Sequence, residues 1–598
     1  MGIPQIKRHL EPYADRAALE PCSTVLDGPA LAYHILAVCS RSTKRTSPFE
    51  QPSYGLLGKT AVAWLDQIKA CGLTISAIYF DSYLPSSKRP ERIQRLIKSS
   101  RELIRYHSSF LAGVPKHNLR RGGEADVELF PDPSPLEKHA KPPPPPFLVP
   151  AVIDALRCSA KYGPLVRLVP GEADGFCAQH VRSKGGLILT SDSDLLIHHL
   201  GPDGSVVFFS DIDIDTETRR LVAPRYCPAD ICRRLSIKSD SGLTHLAFEV
   251  NRDPHLSLEQ AIQRSKGGDA ESIYGQEYSS FVEQYLVPEV APGLEADQVS
   301  ALDPRVSELA LRSLRGSGTA TPVGQNISTD LVNSDYKLEM YLPFLLDYPS
   351  RTSAWEASKS VRQLAYGILQ SVSGHTIPSV SEMRRMQTAS SGSKIDVPDL
   401  SQIDELAASL LALLSKIEAG VSNPQATWTV FSIYQDVAMT MERARGYPLS
   451  FDILGRQTRG TLDECSWDFL HSVAQTQATY YSFRILSQVL DFAAHRKGAL
   501  PPTVLRLSTF LSRLPPLSEF PSPGTFADML RLVRESGGLS CLEGLCADFE
   551  DILPHIEAIQ RPQETKKTKK RKAQVLTEEG RPKARSNNLF DLLASREE

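Results

Sequence analysis

The sequence predicts an α/β fold: a mainly parallel central sheet flanked by helices, followed by a largely α-helical C-terminal region and a disordered basic tail. Three observations predict it. Apolar runs of strand length alternate with helical patterns through residues 1–255, residues 333–560 read as mostly helical, and residues 561–598 are polar and charged.

In chain order, "STVLD" is a strand ending at Asp27, and "PALAYHILAV" is the helix that follows it. "AVAWLDQIKACG" is helical and "ISAIYFD" is a strand ending at Asp81. "PLVRLVP" is a third strand, with "GEADGFCAQHVRSKG" helical from Glu172 onward. "GLILTSDSD" closes a fourth strand and "SVVFFS" forms a fifth. An insert at residues 107–147 interrupts this alternation; its prolines Pro142 to Pro146 exclude helix interior and favour an extended chain. Residues 256–332 read as a domain junction, rich in Gly and Pro near "APGLEADQVS" and "LRGSGTATPVGQN". The helical region, as in "DELAASLLALLSKIEAG" and "ATYYSFRILSQVLDFAAHR", carries long amphipathic faces that fit helical packing or partner binding.

Composition narrows the function. The chain has 598 residues and a net charge of −3, but residues 561–598 carry 11 Lys/Arg against 6 Asp/Glu, so the remainder is acidic. Any nucleic-acid binding by the body must therefore come from a local patch. The ten cysteines show no repeated short spacing, which predicts free thiols in a reducing compartment. Cys541 and Cys546, with four residues between them, lack a second pair for zinc. No apolar run reaches the roughly 18 residues of a membrane span, so no membrane association is expected. In the tail, "KKTKKRK" fits a nuclear-import signal, a nucleic-acid-binding arm or a solubilising segment, and "NNLFDLLAS" resembles a docking peptide for a protein partner.

Six carboxylates stand where strands or their following turns end: Asp27, Asp81, Glu172, Asp174, Asp192 and Asp194. Functional groups of an open parallel sheet gather at such ends. Each has an ordinary alternative, as a helix cap or a first-turn acid. Gathered in one crevice, however, six acids would repel strongly unless cations neutralised them. An all-oxygen set without clustered His or Cys favours Mg²⁺, with Mn²⁺ able to substitute. Two such ions about 4 Å apart suit phosphodiester hydrolysis. Directly after Asp81, residues 88–105 hold seven basic residues against Glu91 and Glu102. Arg89, Arg92, Arg95 and Lys98 recur every three residues along a predicted helix, with Ile93, Leu96 and Ile97 on another face. Lys88 and Arg89 are placed to grip a scissile phosphate, and the later basic residues to hold a nucleic-acid backbone without reading its sequence, unless the stripe is a solvated face.

"MGIPQIKRHLEPYA", "VLDGPALAYHIL", "IYFDSYLPSSKRPER", "PGEADGFCA" and "LTSDSDLLIH", in that order, resemble the XPG/flap-endonuclease superfamily of PIN-like nucleases. "DSYLPSSKRPER" and "YLPFLLDYPSRTSAWEASKSVRQLAYGIL" look more particularly like its asteroid branch. The resemblance implies a nuclease core over residues 1–255 and extends through much of a helical domain at 333–560. It implies that the six acids ligate two Mg²⁺ ions or hold their waters, that Gly2 lies near the active site, and that Lys88 and Arg92 contact the attacked phosphate. It also implies a seventh acid, Asp253, in "FEVNRDPHL". The family's usual glycine before that acid is missing, as is the glycine-rich helix-turn-helix that would follow it. The implied activity is structure-specific DNA endonuclease, in a nuclear repair role, on DNA with single-strand/double-strand junctions or overhangs. RNA cleavage is a further possibility, and the alternative is a weak or inactive nuclease-fold scaffold in RNA or translation regulation or protein interaction.

Overall fold

The computed structural model describes residues 3–559, except for 4, 20, 43–48, 85–87, 116–126, 132–142, 216, 238–242, 268–269, 286–299, 316–337, 387–391, 444–446, 459–463, 497–499 and most of 550–558. Gly2, Pro142 and all of the tail, including "KKTKKRK" and "NNLFDLLAS", lie outside the described residues.

Five strands form the central sheet: β1 (Ser23–Asp27), β2 (Thr74–Asp81), β3 (Val166–Val169), β4 (Gly186–Thr190) and β5 (Gly204–Phe208), in the order β3-β2-β1-β4-β5. Every neighbouring pair is parallel. The chain therefore winds outward from β1 to β3, then returns past β1 to build β4 and β5. That reversal makes β1 and β4 a topological switch point, where the connections at the carboxyl ends diverge and leave a crevice.

Side-chain alternation divides the two faces of the sheet. Leu26, Ile78, Phe80 and Leu189 join the core that includes Leu31 and Ile35 of helix α1 (Gly28–Ser42), Trp64 of α2 (Tyr54–Ala70) and Val152 of Leu148–Cys158. Val25 and Ile188 point the opposite way, into a second core with Cys177, Ala178 and Val181 from the helix Ala173–Lys184. Asp27, Asp81 and Thr190 follow the alternation of this second face, under the helix whose first turn carries Asp174. Gly28 is required where β1 turns into α1, since a Cβ there would lie 2.6 Å from both the Tyr79 carbonyl oxygen and the Phe80 ring.

The predicted basic helix runs over Arg89–Ser109. Its apolar face, Ile93 with Leu96 and Ile97, packs on Tyr341, Met383 and Met386. Tyr341 and Met383 belong to a small sheet built from Leu338–Tyr341, Ser379–Met383 and Ser393–Asp396. The insert is anchored at both edges. Val114–Pro115 pairs with Glu464–Cys465, and Phe147 is buried with its ring stacked on Tyr481 at 4.5 Å.

The helical region shares the core of the first half. Its longest helix, Trp467–His495, is buried on nearly every side between Trp467 and Leu490. The amphipathic reading of "ATYYSFRILSQVLDFAAHR" is thereby corrected: its polar residues Thr479 and Ser482 are also buried, with hydrogen-bond partners inside the fold. Arg484 ties this helix to the first half by donating to both Asp154 and Asp303. No described helix is long and apolar enough to cross a membrane.

Candidate active site

The sheet register sets Leu26 beside Leu189, so Asp27 ends β1 abreast of Thr190. Asp27 Oδ2 accepts from Thr190 Oγ1 at 2.6 Å, and Oδ1 accepts from the Ala30 amide at 3.2 Å, capping α1. The helix-cap alternative and the cluster reading thus hold for the same side chain. Burial pushes the Asp27 pKa up to about 7, the two hydrogen bonds oppose the rise, and the fields of Asp81 and Asp192 add to it.

Asp81 ends β2 and accepts from the Ala173 amide at 2.8 Å, which fixes the start of Ala173–Lys184 against the sheet. Burial raises its pKa to about 6, with Glu172 adding to the rise. Glu172 occupies the N-cap position of that helix without a side-chain capping bond, and Asp174 lies in its first turn. Asp174 is pushed well above the usual carboxylate range by burial, and then by Asp27, Asp192, Asp81 and Glu172 together. Asp192 follows β4 and accepts from the Asp194 amide at 3.0 Å, starting a short 3₁₀ turn. Asp194 is raised to about 6 by burial and by Asp192, while its Oδ1 accepts from the Ile3 amide at 2.8 Å. The N-terminal segment therefore reaches the site at Ile3.

The six acids predicted from strand ends are brought within one another's electrostatic reach. Among the described residues, no three acids, histidines or cysteines are grouped as a ready-made ligand set. The chemistry of the donors still fits a hard divalent cation. They are oxygen donors only, and burial together with neighbouring acids raises the pKa of Asp27, Asp81, Asp174 and Asp194, which is the condition that added positive charge relieves.

Lys88 supplies one positive charge. Its Nζ lies 3.1 Å from Glu172 and 3.8 Å from Glu91. Burial opposes the charge, yet Glu172, Glu91 and Asp194 more than offset it and hold the ammonium above its ordinary pKa. The arginines of the stripe are engaged elsewhere. Arg89 pairs with Glu339 at 2.7 Å and Arg95 with Glu91 at 2.6 Å, while Lys98 is exposed. Arg92 is held by both oxygens of Glu308, at 2.7 and 2.9 Å, and stacks over Tyr341. Its guanidinium is thus bound into the fold, while its charge still reaches Asp81 and opposes the rise of that carboxyl's pKa.

Asp253 is set at the end of the helix Thr244–Arg252, where it accepts from the His255 amide at 3.2 Å; its carboxylate makes no described contact with the other six. A second helix, Leu258–Lys266, follows five residues later. His198 is buried against Tyr285 and its pKa is lowered to about 4 by that burial, while His199 is exposed.

Three site features escaped the sequence reading. Thr190 precedes the acids as one more small residue in a strand, and only the register reveals its bond to Asp27. Tyr285 is far from the motifs in sequence, yet burial and the fields of Asp194, Asp192, Glu172 and Asp174 raise its phenol. Glu308 lies in the expected junction, where no motif marks it.

The model of a family described as XPG domain containing matches residues 144–397. That match supports the XPG/PIN-like nuclease superfamily as the class of this fold, and nucleases of this class generally use Mg²⁺ and bind nucleic acids. The matched span includes Glu172, Asp174, Asp192, Asp194 and Asp253, and excludes Asp27, Asp81 and the basic helix. No curated protein matches the chain.

Proposed function

We propose that this protein is a Mg²⁺-dependent, structure-specific DNA endonuclease of the asteroid type, acting in the nucleus on junctions or overhangs during repair. The observation that carries the reading is the gathering of Asp27, Asp81, Asp174 and Asp194 at the sheet's switch point, where burial first and neighbouring acids second raise all four carboxyl groups.

Asp27, Asp81, Glu172, Asp174, Asp192 and Asp194 would hold two Mg²⁺ ions, with Mn²⁺ a substitute, and Asp253 would be the seventh acid of the set. When bound, the pair supplies Lewis acidity toward the phosphodiester and lowers the pKa of an attacking water. Lys88, whose ammonium is paired with Glu172 at 3.1 Å, grips the scissile phosphate and orients it. Arg89, Arg95 and Lys98 track the backbone of the substrate by charge alone.

Incubation of the purified protein with flap, overhang, bubble and single-stranded DNA in Mg²⁺ or Mn²⁺, beside Asp192→Asn, tests the reading. Cleavage by the parent and its loss in the variant are expected. No cleavage of any substrate, or equal cleavage by Asp192→Asn, defeats it. An RNA arm decides between DNA and RNA.

One observation favours the scaffold reading. Arg89, Arg92 and Arg95 are already paired with carboxylates of this chain, which reduces the charge offered to a nucleic acid. In that reading the helical region or the tail binds a protein partner, and the same assay returns no cleavage.

A further inference from the structure

We propose that the helix Pro304–Arg315 is a strut that positions the basic helix Arg89–Ser109 over the acids, and that Glu308 is the positioning residue on which it depends. The catalytic part of this inference rests on the nuclease reading above.

Glu308 accepts from Arg92 on both oxygens and from Arg312 Nε at 3.0 Å, with its side chain only 5% exposed. One buried carboxylate therefore bridges two guanidinium groups, and its loss would remove the charge that holds Arg92 and Arg312 to a common point. Arg312 continues the linkage by donating to the Leu84 carbonyl at 2.8 Å and lying over the Tyr83 ring. Ser307 is hydrogen-bonded to Ser82, the residue directly after Asp81. A single helix thus grips Ser82, Tyr83, Leu84 and Arg92. These residues bracket the connection from a predicted metal-holding acid to the basic helix.

Lys88 stands at the start of that helix, 3.1 Å from Glu172. Holding the helix at Arg92, four residues further on, fixes where the Lys88 ammonium can reach. The basic helix is ordered by the protein itself before nucleic acid arrives, and Arg92 acts as its anchor. Phosphate contact then falls to Lys88 and to the more exposed Arg95 and Lys98.

Hydrogen exchange on the full-length, nucleic-acid-free protein reads the strut directly, with Glu308→Gln as the shape-conserving variant and Glu308→Asp as the partial rescue. Peptides within residues 89–109 are expected to exchange roughly 10-fold faster in Glu308→Gln, with Tyr54–Ala70 unchanged and Glu308→Asp intermediate. On a cleaved substrate, kcat is expected to fall about 10- to 100-fold with KM within about threefold, since misplacing a catalytic group by an ångström costs on that order. Unchanged exchange over 89–109, an equal rise in Tyr54–Ala70, or an unchanged kcat overturns the proposal. If the parent cuts nothing, the nuclease reading fails and the exchange comparison alone decides the strut.

Discussion

Thr190 Oγ1 donates to Asp27 Oδ2 over 2.6 Å, across the two strands that flank the switch point of the sheet. This bond orients the most buried carboxyl of the crevice and partly offsets the cost of its charge. Thr190→Val keeps the shape and removes the donor. It is expected to weaken divalent-cation binding by about 10- to 100-fold, as loss of a ligand's supporting hydrogen bond does elsewhere. Calorimetric titration with Mg²⁺ and Mn²⁺ checks this; unchanged affinity would show that the bond is structural only.

The acids also predict a pH dependence of stability. Asp27, Asp81 and Asp194 have folded pKa values of about 7, 6 and 6, against an ordinary value of 3.8. Because the folded state binds these protons more tightly, their stabilising contribution is complete below about pH 4 and is lost as pH rises through about 7. In the presence of a chelator, Tm should fall by a few °C between pH 5 and pH 8. Millimolar Mg²⁺ should recover the loss at pH 8 and have little effect at pH 5.

Substitution of a crowded acid should act oppositely on stability and activity. Asp174→Asn removes a charge that burial and four neighbouring acids disfavour. Its Tm at pH 8 without metal should equal or exceed that of the parent, while Mg²⁺-induced stabilisation and cleavage are lost. A lower Tm together with retained cleavage would contradict the proposed role.

The basic residues should separate by role. Lys88→Ala is expected to lower kcat by about 100-fold or more, since its ammonium lies 3.1 Å from the acid cluster at Glu172. Lys98→Ala is expected to weaken binding uniformly across DNA sequences and to reduce the salt slope by about 1. Binding measured at several salt concentrations distinguishes the two.

Stability of the helical region should depend on Arg362, which is fully buried and paired with Glu382 at 2.6 Å. The same guanidinium donates to Ser358, Ser482 and the Trp355 carbonyl. Arg362→Met leaves the buried Glu382 carboxylate with only the Tyr366 hydroxyl and the more distant Arg384, and should cost about 3 kcal/mol in urea unfolding.

The sequence by itself determined the five strands, their helices and the strand-end acids, because period-two and period-3.6 patterns report directly which face of an element is buried. It also determined that the basic stripe follows Asp81. Local pattern carries no information on strand order or register, so only the tertiary structure decided that β1 and β4 are neighbours and that Thr190 meets Asp27. It likewise decided that the stripe is not a free charged face. The pairing of Arg92 with Glu308 spans 216 residues, and a contact that distant is fixed by packing of the helix Pro304–Arg315 against the basic helix rather than by anything adjacent in the chain. Asp253 shows the same division, since its motif was legible but its place at the end of the helix Thr244–Arg252, accepting from the His255 amide, followed from the fold.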